Sequence, residues 1–188
     1  MSSRHRQWLL SGGIGSGKSE VRRLLDGLGL RTIDADSVGH SVLAEEGLNA
    51  VSARWPQVVV DGAVDRKGLA AIVFDDPVEL AALEAITHPL IFGRIEADLE
   101  GFDGVAVVEM PLIATELGWP SMVVDAPDEI RIDRTVARGM ERAEVERRMR
   151  AQPTRAEWLG SADLVIPNHG SLDDLKETVE NLRQFLLS

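Results

Sequence analysis

Lys18 and Ser19 close a glycine-rich run, Gly12-Gly13-Ile14-Gly15-Ser16-Gly17. The spacing of a glycine, any four residues and then Gly-Lys-Ser is that of a loop that binds the phosphates of a nucleoside triphosphate. Residues Gly13, Ile14, Gly15, Ser16 and Gly17 can turn successive backbone N–H groups inward around phosphate oxygens, because glycine accepts the backbone angles such a nest requires. Lys18 adds a mobile positive charge for the β- and γ-phosphates, and the Ser19 hydroxyl is a ligand for a magnesium ion bridging them. The pattern therefore implies a nucleoside triphosphate and Mg2+, with further donors from the start of a helix.

Other residues bear reactive groups at corresponding places. Asp34 and Asp36 stand beyond a second short strand, Leu30 to Ile33, at the carboxyl end where open α/β sheets bind ligands. Asp36 is a candidate for a direct role near magnesium or an incoming hydroxyl; helix capping is its other reading. Glu109 ends a run of Val105 to Val108 and sits where phosphate-loop enzymes hold a carboxylate that organises magnesium. Between Arg131 and Arg155 there are eight arginines against four acids, within a chain of formal net charge −11. Arg131, Arg134 and Arg138 share one helical face, and Arg148 and Gln152 form an i, i+4 pair. Each arginine taken singly reads as a solvated surface residue. Clustered on a helical hairpin, they suit a lid that clamps a transferring phosphoryl group and excludes water. Asn168 follows the last apolar run; it is a turn former that also suits reading an adenine edge. His88, just before Pro89, reads first as a capping or packing residue.

The elements that must position these groups follow from periodicity. Leu9 and Leu10 end a buried strand, and Val21, Leu24, Leu25 and Leu28 recur at helical spacing. Gly27 and Gly29 end that helix, and Val38, Val42 and Leu43 mark the next. The middle of the chain, Leu48 to Leu99, is a helical insertion beside the sheet, with one short run at Val58-Val59-Val60 and a turn at Asp61-Gly62. A helix begins near Asp65 or Arg66. Another begins at Pro77 and is expected to break at Thr87-His88-Pro89, before a third carrying Ile91, Ile95 and Leu99. Strands end at Glu109, Asp125 and Ile166. Ser171 with Asp174 predicts a capping box for a closing helix bearing Leu175, Val179 and Leu182.

The expected fold is α/β, a phosphate-loop core with a doubly wound parallel sheet, in one domain of 188 residues. Within it, 1–47, 102–130 and 156–188 form the nucleotide-binding core, 48–101 the acceptor region and 131–155 the lid. No apolar run approaches the ~20 residues that span a bilayer, and no apolar signal segment opens the chain, so a cytoplasmic location is expected. The absence of cysteine excludes disulfides and thiolate chemistry, and His5, His40, His88 and His169 are not spaced as a metal cage. The acidic balance disfavours nucleic acid and anionic membranes as partners. No obligate protein partner is indicated.

In this order the pieces resemble the dephospho-coenzyme A kinase family. The matching segments are Gly12 to Ser19, Ile33-Asp34-Ala35-Asp36, Asp65-Arg66, His88-Pro89-Leu90-Ile91, Glu109-Met110-Pro111-Leu112, Arg148 through Gln152, Ala162-Asp163 and Asn168-His169-Gly170. The resemblance implies ATP-dependent phosphorylation of the ribose 3′-hydroxyl of dephospho-CoA. It implies Lys18 and the loop amides as ATP ligands, Ser19 as the magnesium ligand and Asp36 as the base. Arg138 and Arg148 become lid residues, Arg66 and His88 meet the acceptor, and Asn168 lies near adenine. Another small-molecule kinase or a noncatalytic nucleotide-binding module are the alternatives. A GTP switch is disfavoured, because no Asn-Lys-x-Asp sequence occurs. The chain departs from the family pattern at Ser11, at Glu20, and at Met110 and Ile113-Ala114. Glu20 stands among the expected ATP-contacting residues, where a carboxylate would repel phosphates; pointing outward it would instead favour the helix N-terminus.

Overall fold

The computed structural model describes residues 6–73, 76–114 and 117–188. His5 lies outside them. Two compact units are present: one comprises the chain up to Asp34 and from Phe102 onward, the other Ala35–Gly101. The second unit begins directly after β2, at Ala35.

In the first unit β1 (Gln7–Ser11) leads through the glycine loop into α1 (Lys18–Gly27), and β2 (Arg31–Asp34) follows. The second unit holds α2 (Ala35–Ala44), α3 (Leu48–Arg54), a 3-10 turn at Pro56–Val58, β3 (Val59–Val60), β4 (Ala63–Val64), α4 (Arg66–Val73) and α5 (Pro77–Leu99). The chain then returns to the first unit with β5 (Ala106–Glu109), β6 (Ser121–Asp125), α6 (Asp128–Val136), α7 (Arg142–Arg150), α8 (Arg155–Gly160), β7 (Leu164–Pro167) and α9 (Leu172–Leu187).

The five long strands form one parallel sheet in the order β2-β5-β1-β6-β7. Strands covered on both faces must be apolar throughout, and β5 is buried along its whole length. Leu10, Val107, Met122, Val124 and Ile166 from the sheet pack with Val21 and Leu25 of α1 and Leu175, Val179, Leu182 and Leu186 of α9. Each of those helices presents an apolar stripe at helical spacing. The expected capping box forms at Ser171 and Asp174, and a second one, Thr154 with Glu157, starts α8. Register places Asp34 beside Glu109 and Leu10 beside Glu109 and Met122. The carboxyl ends of β1, β2 and β5 therefore share one edge, where the strand order reverses and α/β sheets bind ligands.

The helical unit has its own core of Val51, Trp55, Val58, Leu69 and Val73. The end of α3 is tied to the first turn of α5 by Glu79, which accepts from Trp55 Nε1 at 2.7 Å and from Arg54 Nη2 at 2.9 Å. The structure corrects three expectations here. Thr87-His88-Pro89 does not break the chain into two helices; α5 runs unbroken through Pro89. Proline removes one N–H and crowds the preceding turn, but Thr87 and Ile95 on either side are buried and hold both halves in line. Val58-Val59-Val60 is not a strand of the parallel sheet. Val58 ends the 3-10 turn, and the other two residues pair antiparallel with Ala63–Val64 across Asp61-Gly62, whose φ values of 51° and 78° make the tight reversal. Asp36 does not cap α2 from outside; the helix begins at Ala35 and Asp36 lies in its first turn.

Candidate active site

The glycine loop joins the buried end of β1 to α1, and Gly17 stands at the helix start with φ 94°, a conformation that glycine adopts without penalty. Ser16 N donates to Gly13 O at 3.1 Å, and Glu20 N donates to Gly17 O at 3.0 Å, so the loop closes on itself and passes directly into the helix. The Ser16 hydroxyl is buried and has no hydrogen-bond partner among the described residues.

Glu109 is the hub beneath the loop's exit. Its Oε1 accepts from Lys18 Nζ at 2.7 Å and from Ser19 Oγ at 2.6 Å, while its Oε2 accepts from Arg22 Nε at 2.7 Å. Arg22 also reaches Asp34 Oδ2 at 3.5 Å. The Glu109 side chain is 5% exposed. Burial alone would raise the pKa of this carboxyl, but hydrogen bonds from Lys18, Ser19 and Arg22 and the charge of Lys18 outweigh it and leave the pKa lowered. The sign for stability follows. A depressed folded value contributes stability that is present above the unfolded carboxylate value of about 4.3 and is lost as pH falls through the folded value. Acid titration of unfolding by tryptophan fluorescence should show that loss below about pH 4, and it should shrink in Glu109→Gln. An unchanged acid profile in that variant would remove Glu109 as its source.

The other side of the loop is held from the far half of the chain. Arg131 of α6, 4% exposed, donates from Nε to Ile14 O at 2.9 Å and from Nη1 to Asp128 Oδ1 at 3.0 Å. Burial lowers its pKa, against the attraction of Asp128 and Asp125, and a guanidinium stays charged even so. Gln152, just beyond α7, accepts at Oε1 from Ile14 N at 2.8 Å. Asn168 is buried, donates from Nδ2 to Ser16 O at 2.7 Å and accepts from Arg134 at its side-chain and backbone oxygens. Asp125 at the end of β6 receives both Nε and Nη2 of Arg155, at 2.8 and 2.7 Å. Those bonds hold the Asp125 carboxyl below its ordinary pKa despite burial.

The arginine explains why residue 13 is small. A Cβ on Gly13 would overlap the Arg131 guanidinium. Gly13→Ala is expected to cost about 1–3 kcal/mol, the usual penalty of overpacking, and to lower Tm by a few degrees in a thermal melt. An unchanged Tm would mean that Arg131 gives way freely.

Comparison with known proteins decides what kind of phosphate site this is. The sequence model of dephospho-CoA kinase matches residues 9–174. The chain belongs to the dephospho-CoA kinase family. It is 42% identical over 182 residues to a dephospho-CoA kinase of Streptomyces avermitilis, covering 90% of this chain and 88% of that one. With the Frankia casuarinae dephospho-CoA kinase the identity is 39% over 194 residues, covering 95% and 82%. A solved structure from Thermus thermophilus superposes with a TM-score of 0.84 at 34% identity, covering 99% of this chain and 100% of that one. A shikimate kinase of Bacteroides thetaiotaomicron shares the fold, with a TM-score of 0.54 at 14% identity over 96% and 97% of the two chains. The family and the α/β phosphate-loop fold are thus those that the sequence implied, and the chain is a kinase.

The remaining residues expected in a dephospho-CoA kinase site are placed as follows. Glu20 pairs with Arg23 on α1, in the i, i+3 relation. Arg138 follows α6 and donates from Nε to Arg134 O at 3.1 Å; Arg148 pairs with Glu144 at 2.7 Å. Both are exposed. Asn168, expected near adenine, has its amide committed to the loop backbone and to Arg134. In the helical unit, Arg66 is exposed at the first residue of α4, and the His88 ring lies 5.6 Å from that of Phe92 on α5. Met110 and Ala114, where the chain departs from the family pattern, are buried. The sequence did not single out Arg22, and it gave no contact with the loop to Arg131 or Gln152 and none with Asn168 to Arg134. The arginine cluster and the Arg148–Gln152 pair were the only signals for the last three.

Proposed function

We propose that the chain transfers the γ-phosphoryl group of ATP to the ribose 3′-hydroxyl of dephospho-CoA, giving coenzyme A. The observation that carries this reading is the cluster of Lys18, Ser19 and Glu109 at the loop's exit, within a chain of the dephospho-CoA kinase family. Lys18 rests on Glu109 and is within reach of the loop, so incoming phosphates gain a cation already in position. The loop amides bind the phosphate chain, and Lys18 offsets charge that builds on the bridging and terminal oxygens.

Hard oxygen donors suit magnesium. Ser19 Oγ and the Glu109 carboxylate are 2.6 Å apart, with Asp34 next to Glu109 in register. These residues would hold Mg2+, which supplies charge neutralisation across the β- and γ-phosphates. Asp36, two residues beyond the end of β2, accepts the proton of the attacking hydroxyl. Arg66 and His88 bind the acceptor. Arg138 and Arg148 exchange their present surface partners for phosphate oxygens as the lid closes, and Asn168 supports the loop beside the adenine pocket. In-line transfer then depends mainly on positioning and electrostatics. A cytoplasmic location goes with this reading, since its phosphoryl donor is an intracellular nucleotide.

The direct test incubates the protein with ATP, magnesium and dephospho-CoA, with adenosine and other small acceptors beside it, and reads one added phosphate by mass spectrometry. Rapid conversion of dephospho-CoA alone is expected. ATP binding without transfer to it would move the assignment to another acceptor or to a noncatalytic role.

A further inference from the structure

The backbone of Ile14 is gripped at both polar atoms from the chain's far half: its carbonyl by Arg131 and its N–H by Gln152. The Gln152 contact has a chemical direction. A backbone N–H can only donate, so the carboxamide oxygen must face the loop, and the NH2 group on the same planar unit is turned away from the Ile14 N–H.

The side chain is also held in place from below. Gln152 N donates to Met149 O at 3.2 Å, Pro153 fixes the next φ, and Thr154 begins the capping box of α8. One residue further, Arg155 grips Asp125 with two hydrogen bonds. Gln152 is therefore mounted on a joint anchored to the end of β6, unlike the exposed Arg138 and Arg148. The α- and β-phosphates are cradled by amides that lead into α1. The outer end of the phosphate chain then falls toward the first half of the loop, where Ile14 stands.

We propose that Gln152 is a γ-phosphate residue: its carboxamide oxygen fastens the Ile14 N–H, and its NH2 group donates to the terminal phosphoryl of ATP. This rests on the nucleotide being ATP, as in the function proposed above, but not on the acceptor. It reassigns Ile14, whose N–H is spent on Gln152 and is not a direct phosphate ligand. It also gives the site a neutral donor specific to the third phosphate, complementing the charge of Lys18.

The test compares ATP and ADP affinity by calorimetry in wild type and Gln152→Glu. Glutamate keeps an oxygen for the Ile14 N–H, and a stronger acceptor at that, while replacing the donor with a negative charge. ATP affinity is expected to fall roughly 10- to 100-fold, the range for a hydrogen bond to a charged group, with ADP affinity within about twofold of wild type. A residue that merely braces the loop predicts otherwise: Q152E would bind both nucleotides as wild type does, or lose both equally, and either result overturns the proposal. Should Q152E fail to fold by thermal melt, Gln152→Met is read the same way, with a loss greater for ATP than for ADP expected and an equal loss fatal. Wild-type turnover of dephospho-CoA, measured separately, tests the acceptor assignment without touching this one.

Discussion

Lys18→Met should lower kcat/KM for phosphoryl transfer by on the order of 10³-fold, equivalent to about 4 kcal/mol of transition-state stabilisation. The lysine is 15% exposed and has a single defined carboxylate partner, Glu109, at 2.7 Å. Its removal leaves Glu109 still hydrogen-bonded to Ser19 and Arg22, so the fold should survive, with only a modest change in Tm. Methionine keeps the length and the apolar stem while deleting the charge. Steady-state kinetics alongside a thermal melt separates the two effects. A variant with near-normal kcat/KM would mean that the loop amides and magnesium carry the phosphate charge without Lys18.

Asp36→Asn is the second substitution expected to act strongly, with kcat falling roughly 10²- to 10⁴-fold, the contribution usual for a positioned base. Asparagine retains the size and can still accept a hydrogen bond within the first turn of α2, but it cannot take up the hydroxyl proton. Affinity for ATP should be unchanged, because the loop, Lys18 and Ser19 are untouched. Single-turnover measurement with saturating dephospho-CoA isolates the chemical step. Full turnover in this variant, with Lys18 intact, would end the assignment of Asp36 as base.

What could be read from the sequence was whatever depends on neighbours along the chain. Gly12 to Ser19 specify a loop by local spacing, and the runs ending at Asp34, Glu109 and Asp125 place three carboxylates at strand ends, as found. The Ser171 capping box is equally local. Contacts made across the fold were not legible. Ile14 meets Gln152 from 138 residues away and Arg131 from 117, and Ser16 meets Asn168 from 152. Nothing in the pattern of arginines distinguished Arg131, buried under the loop, from Arg148, paired on the surface. That difference is set by how α6 and α7 pack and not by composition. Pro89 misled for a related reason. A local rule against proline within helices was overridden by burial on both sides of it. Arg22, on the first turn and a half of α1, reaches Glu109 only because β1 and β5 pair in the observed register.

The strand order also sets when this protein can fold. β1 takes its two neighbours, β5 and β6, from beyond residue 105, and the loop that follows it is completed only by Asn168. At synthesis rates of ~5–20 residues per second, Leu9 and Leu10 wait on the order of ten seconds for both partners. The unit Ala35–Gly101, continuous in the chain, is complete before then. The sheet must therefore close late, by long-range parallel pairing that is intrinsically slow. During that interval an apolar strand has both edges open, a form prone to pairing with other chains. The nucleotide site is among the first parts of the protein to be made and among the last to exist.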